Sequence, residues 1–262
     1  MKNQLKKIPV LGAPGRRLIH RLRHLGRVLR GRQPPQYVFS RLDVQGGAIT
    51  KDGPDQATAR VLNLLNYTKT SASAYSGDSF PAGYHSLDIN GLKLRGQRDP
   101  HERTSLAPID FGGKTVLDIG CNQGGMLFAV AGQIAHGVGI DYDSRVINAA
   151  NRIRSHARAA NVDFYVFDLQ TEDLQLIRDL LPVDKVDVTF LLSVCMWIDN
   201  WREVIQFVRT ISISLLFESN GKEAQQAEQV EYLRSVFPTV ALLSQQSDDD
   251  SLQKKRKLYF CH

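Results

Sequence analysis

KTVLDIGCNQGGMLFAVAG, residues 114–132, decides the fold. A short apolar run reaches Asp118 and Ile119, Gly120 follows at once, then Gly124-Gly125, then an apolar stretch with helical spacing. That succession predicts a buried strand, a tight turn and a helix. Toward the C-terminus the alternation repeats. Strands are predicted at 114–119, 136–141, 162–167, 187–193 and 212–218, with helices at 124–133, 144–160, 171–181 and 200–210. A helix at 223–236 and strands at 239–244 and 256–261 complete the pattern. The result is an α/β fold: a doubly wound, mostly parallel seven-stranded sheet with an antiparallel C-terminal strand. Only the polar loop SQQSDDDSLQKK separates the last two strands, so they are predicted to pair as an antiparallel hairpin at the sheet edge.

Toward the N-terminus, Ala57, Val61 and Leu65 give Asp55–Leu65 helical spacing, and TSASAYSGDSFPAG, residues 70–83, reads as a loop. YHSLDINGLKLRG follows. Its Asn90-Gly91 between alternating apolar residues predicts a β-hairpin over 84–95. The reading divides the chain into a basic arm (1–42), a helix-plus-hairpin cap (43–110) and a main domain (111–262).

The arm carries eleven Lys and Arg and no acid, whereas the other 220 residues hold 22 basic and 27 acidic groups, a net of −5. Leu18, Leu22, Leu25 and Leu29 form one helical face, with Arg16, Arg23, Arg27 and Arg30 largely off it. This predicts a short cationic amphipathic helix. Through residues 1–36 it could dock on the body, lie on an anionic membrane or track a nucleic acid. No apolar run reaches the roughly 18–20 residues of a membrane span, and the first thirty residues lack the apolar centre of a secretory signal. Three widely spaced cysteines suggest neither a disulfide framework nor a zinc site. The expected location is cytoplasmic, peripheral to the inner face of a membrane if the arm binds lipid.

The chemistry gathers at strand ends. Glycine at 120 and 124 lets a ligand approach the backbone closely. A dinucleotide loop would need a second glycine where Asn122 stands, and Asp118 would repel a pyrophosphate. A sulfonium ligand bearing an ammonium group would be attracted instead, which favours S-adenosylmethionine over a nicotinamide cofactor. In GVGIDYD, Asp141 ends the next strand and can accept both ribose hydroxyls, while Tyr142 can cover the adenine. In FYVFDLQ, Asp168 ends the third strand and can accept the adenine amino group. Any one of these acids could be a loop residue or a cap, as Asp143-Ser144 suggests for the following helix. Three acids ending three consecutive strands form a pattern, because ligands bind at the carboxyl ends of such strands.

VLDIGCNQGG resembles the first motif of class I S-adenosylmethionine-dependent methyltransferases, GIDYD their second, and FDL their adenine-contacting segment. The resemblance spans about residues 84–262. It implies that Asp118, Gly120 and Gly124 surround the methionine part and that Asp141 binds ribose. It also implies a seven-stranded sheet ending antiparallel, as KRKLYFC suggests. YHSLDINGLKLRGQRDP is similar to the entry of methyltransferase-like proteins related to the enzymes that modify the wobble uridine of transfer RNA. Those commonly carry Tyr-His after the fourth strand, where FLLSVCMWIDNW has Met196-Trp197. KKIPVLGAPGRRLIHRL is similar to leader segments of bacterial proteins that build surface polysaccharide.

The expected reaction is methyl transfer to an oxygen of a small-molecule or lipid-linked acceptor, a saccharide among them. The rivals are a transfer-RNA-modifying enzyme and a SAM-binding module without turnover. An alcohol acceptor benefits from a general base; Glu218, ending the fifth strand in LLFESNG, and His85, in the entry hairpin, are the candidates. Asp199 reads more naturally as a cap. Arg98 and Arg103 could clamp a carboxylate or phosphate, or pair with Asp99 and Glu102. Trp197 and Trp201 are expected near the acceptor, Cys121 is expected to be a packing residue, and no metal is expected.

Overall fold

The computed structural model describes residues 49–50, 53–54, 56–69, 80–89, 92–247 and 255–262, all within one compact unit, Phe39–His262. The predicted arm and its helix, the Asn90-Gly91 turn, most of the 70–83 loop and most of the final polar loop lie outside the described residues.

Strands β1 (Ile49–Thr50) and β2 (Gly53–Pro54) form a short antiparallel pair ahead of helix α1 (Gln56–Thr68). The entry region is more layered than one hairpin. Strands β4 (Leu87–Ile89) and β5 (Leu92–Leu94) form an antiparallel pair within the predicted hairpin, flanked by β3 (Gly83–His85) and β6 (Gly96–Arg98), which pair in parallel. That ladder sets His85 opposite Arg98. Gly96 permits the approach, since a Cβ there would lie 2.1 Å from the His85 carbonyl carbon. Helix α2 (Pro100–Leu106) follows. Asp99 caps it by accepting the His101 N–H at 3.0 Å, and proline stands at its first position, where the missing N–H costs nothing.

The main sheet is built from β7 (Thr115–Ile119), β8 (His136–Asp141), β9 (Val162–Val166), β10 (Val186–Leu192), β11 (Ser212–Glu218), β12 (Val240–Ser244) and β13 (Leu258–Cys261), in the order β12-β13-β11-β10-β7-β8-β9. The first five are parallel, and β13 runs antiparallel between β11 and β12, so the predicted C-terminal hairpin forms the sheet's edge. Helices α3 (Gly125–Val130), α4 (Ser144–Ala157), α5 (Ile177–Leu180), α6 (Trp201–Ile211) and α7 (Glu223–Val236) make the connections.

Alternation along the strands loads both faces. Leu117, Ile119, Val138, Ile140, Leu215 and Phe217 bury one face against α6 and α7. Val116, Val188, Phe190 and Leu216 bury the other with Met126 and Leu127 of α3 and Ile147 of α4. In α6 the spacing of Val204, Ile205, Val208 and Ile211 gives the buried stripe. Helix α1 packs on α4, and α2 on α3.

Three helices are shorter than predicted, the one expected over 124–133 running only from Gly125 to Val130. Asp143 caps α4 as expected, but Arg158 turns left-handed at φ 54° and ends it at Ala157. The helix predicted over 171–181 shrinks to a 3-10 turn, Leu174–Leu176, and the four residues of α5. Asp173 accepts the Gln175 N–H at 2.9 Å and starts the turn late. Leu181, extended before Pro182, stops the helix.

Candidate active site

The chain runs β7, β8, β9 in one direction across the sheet and resumes with β10 on the other side of β7. The carboxyl ends of β7 and β10 therefore flank the switch point, where ligands bind in open sheets of this kind.

The glycine turn sits there. Gly120 and Cys121 both donate their N–H to the Ile140 carbonyl, at 2.8 and 3.0 Å, and draw the turn over the end of β8. Gly120 has φ +76°, and a Cβ on it would lie 2.6 Å from Val194 Cγ2. Gly124 has φ +79°, and its Cβ would enter the Phe164 ring. Asn122 takes the left-handed position between them at φ 52°, which asparagine tolerates, and its side chain accepts the Gln123 N–H at 2.9 Å. Gln123 is buried, donates from Nε2 to Thr68 Oγ1 at 2.5 Å and lies under Gly83, tying the end of α1 and the start of β3 to the turn. Cys121 is buried against Gly139, and its thiol is pushed well up by burial.

The three acids differ. Asp118 is 2% exposed, and its Oδ2 meets no donor. Burial, then repulsion from Asp141, raises its carboxyl to about 8. Asp141, the last residue of β8, accepts the N–H of Asn122 and of Asp143, each at 3.0 Å, and burial raises its carboxyl against those bonds. Asp168 lies two residues beyond the end of β9, not at it. Its Oδ1 accepts the Gln170 N–H at 3.0 Å, in the same turn that replaces the first residues of the predicted helix. Tyr142 is 75% exposed.

The other flank of the crevice is cationic. Glu218, at the end of β11, is 1% exposed. Arg98 donates from both terminal nitrogens to its two oxygens at 2.7 Å. Ser193 Oγ donates to Oε1, and Arg256 stands 3.7 Å from the same oxygen. Arg103 Nε lies 3.0 Å from Oε2, an ion pair too bent to be a hydrogen bond. Arg98 and Arg103 thus do clamp a carboxylate, one of the protein's own, Glu218. His85 is buried against Gly125, and its Nε2 lies 3.2 Å from Arg103 Nη1. Burial, then the Arg98 charge, pushes its imidazole down to about 3. The Tyr84 hydroxyl accepts from Arg98 at 3.2 Å and Arg256 at 3.4 Å.

Both catalytic candidates are therefore poorly placed as bases. The Glu218 oxygens are occupied by guanidinium and hydroxyl donors, and the imidazole of His85 is weakly basic, with Nε2 turned to a cation. Trp201 packs edge-on against Tyr232 at 5.3 Å, Trp197 is 71% exposed, and Asp199 leaves the first position of the α6 turn to Asn200. Ser193, Asn220 and Gln229 were not legible in the sequence. Asn220 bonds the Ser193 carbonyl at 2.5 Å and the Met196 N–H at 3.0 Å, and Gln229 holds the Asn220 backbone at 3.0 and 3.1 Å. Among the described residues, no group of His, Cys, Asp and Glu could hold a metal ion.

The acid pair fits a cationic nucleoside ligand: one buried carboxylate lacks a donor, and the glycine positions leave no Cβ in the way. Fold and site together define a Rossmann-like methyltransferase that uses S-adenosylmethionine. The chain belongs to a methyltransferase-domain family whose sequence profile matches residues 110–254, more than half of its length. No curated protein matches it. Among solved structures, the N-terminal domain of EvdMO1 with S-adenosylhomocysteine bound is similar over 83% of this chain and 99% of its own, at 12% identity and TM-score 0.58. The same domain in the presence of S-adenosylhomocysteine and D-fucose gives 12% and 0.56. Against whole EvdMO1, the chain covers 49% of the other protein, at TM-score 0.57. At these identities the likeness concerns the fold.

Proposed function

We propose that the enzyme methylates an oxygen of a small-molecule or lipid-linked acceptor, a saccharide being the first to test. The observation that carries the reading is the switch point between β7 and β10, with Asp118, Asp141 and Asp168 at or just beyond the carboxyl ends of β7, β8 and β9. Asp118 would hold the ammonium of the methionine part, Asp141 the ribose hydroxyls, Asp168 the adenine amino group and Tyr142 the adenine face. Bound S-adenosylmethionine supplies an electrophilic methyl group. Gly120, Asn122 and Gly124 shape the floor on which the methionine part lies, so positioning provides the rate. Glu218 and His85 act on the architecture of the acceptor side, and the acceptor proton leaves to solvent. The D-fucose present with the EvdMO1 domain supports trying sugars first.

The test is incubation with methyl-labelled cofactor and separated soluble, lipid-linked and RNA fractions. Label in a base-stable methyl ether of a sugar is the expected result. Label confined to transfer RNA would overturn the acceptor class. We also infer that residues 1–36 bring the enzyme to anionic lipid, on the strength of the arm's charge and leucine spacing. Deleting them should leave the melting temperature and cofactor affinity unchanged and abolish sedimentation with phosphatidylglycerol vesicles. Sedimentation that survives the deletion would end this reading.

A further inference from the structure

We propose that Arg103 and His85 form a subsite for an anionic group of the acceptor, a carboxylate or a phosphate, beside the glycine turn. This rests on the cofactor placement argued above.

Arg103, on α2, is 4% exposed. Its Nη1 faces His85 Nε2 at 3.2 Å and Met126 Sδ at 3.7 Å. Its Nη2 is buried and meets no acceptor. His85 is equally buried. Because its Nε2 receives the Arg103 N–H, the ring proton sits on Nδ1, and that donor too meets no acceptor. Nδ1 stands 2.7 Å from where a Cβ on Gly125 would be, so the imidazole lies against the glycine turn itself.

Two touching side chains therefore each bury a donor without an acceptor, and one carries a full charge. Buried polar groups of native proteins nearly always find partners, and exceptions point to function. Glu218 pairs with Arg103 through Nε at 3.0 Å but supplies no hydrogen bond to Arg103 Nη2 or His85 Nδ1. A hydroxyl could satisfy one donor. A carboxylate or phosphate supplies several acceptor oxygens and can meet both donors at once. The sign of the surroundings names its owner. Asp118, Asp141 and Asp168 near the ends of β7, β8 and β9 repel an anion, whereas Arg103 spans from Glu218 at the end of β11 to Met126 in α3, and we assign the anion it would meet to the acceptor.

The experiment uses the full chain saturated with adenosylhomocysteine and titrates inorganic phosphate and acetate, reading the melting temperature. At least one anion should give a saturable rise, and Arg103→Gln should raise its half-saturating concentration about tenfold or more while the Kd for adenosylhomocysteine moves less than about threefold. His85→Phe keeps a ring against Gly125, removes the donor and should shift the response in the same direction, so the question stays answerable if the arginine variant does not fold. Unchanged anion responses in a folded variant would make the pair structural and overturn the proposal. So would an Arg103→Gln loss of adenosylhomocysteine affinity with 5′-methylthioadenosine, which lacks the amino-acid part, binding as before: the anion would then be the cofactor's own. Wild-type protein that binds neither nucleoside would instead overturn the cofactor placement, and the subsite with it.

Discussion

Asp118, next to last in β7, and Glu218, last in β11, are both almost fully buried in the same sheet and live in opposite conditions. Asp118 has an oxygen no donor reaches and a neighbouring acid that repels it. Glu218 is met by Arg98, Arg103, Arg256 and Ser193 at once. A buried charge without partners is costly unless a ligand supplies them, so it marks a binding site. A buried charge with too many partners marks a joint, here between the entry segment and the end of β11. On the proposed cofactor placement, a buried acid near a strand's carboxyl end thus serves recognition on one side of the switch point and assembly on the other.

The largest expected effect is on the joint. Glu218→Ala leaves buried guanidinium groups uncompensated and should cost about 3–5 kcal/mol in denaturant unfolding, with adenosylhomocysteine affinity in the folded protein nearly unchanged. A stable variant that has lost only turnover would break the comparison and restore Glu218 as a base.

Asp118→Asn should do the reverse, weakening adenosylmethionine by about 1–3 kcal/mol. Its pH signature has a definite sign. A carboxyl raised from 3.8 to about 8 favours the protonated folded state. The stability of the ligand-free protein should therefore be fully present below pH about 4 and decline as pH climbs toward about 8, a decline the Asn variant lacks. Pairing with an ammonium requires the ionised form. Cofactor binding at pH 7 should thus release about one proton, visible in calorimetry across buffers of different ionisation enthalpy. The Asn variant should release none.

Asp141→Ala should cost about 1–2 kcal/mol of affinity, since ribose hydroxyls are weaker partners than an ammonium and the N–H groups of Asn122 and Asp143 are also left unpaired. The smallest loss is expected at Asp168, under about 1 kcal/mol for Asp168→Ala, because one of its oxygens already serves the Gln170 N–H. A larger loss there than at Asp118 would move the centre of recognition from the methionine part to the adenine.

The sheet was legible because each strand is a dense apolar run stopped by an acid, a glycine or a polar loop. The predicted limits of β8 and β11 coincide with those observed, and the others differ by a residue or two. The glycine turn and the strand-end acids were legible for the same reason, being local. Asp168 was placed a little early because Phe167 continues the apolar run after the β9 ladder has ended. The short helix after it was missed because Asp168 and Asp173 turn the backbone with their own side chains. The fate of Glu218 was hidden by distance: its clamp is Arg98, 120 residues away. Nothing in GQRDPHER or LLFESNG says that they meet, since charged residues in a sequence carry no address.

Gln123 bears on how this fold can vary over evolutionary time. It holds Thr68 by a hydrogen bond and fills the space beside Gly83, so the chain between those residues departs from and returns to a single anchor. The entropy of closing such a span grows only with the logarithm of its length, about 0.6 kcal/mol for each doubling. Lengthening or shortening that span therefore costs little thermodynamically, whereas a change at Thr68, Gly83 or Gln123 disturbs the anchor itself. The arrangement separates a part open to innovation from a part that has to stay fixed, and the boundary between them is one amide side chain.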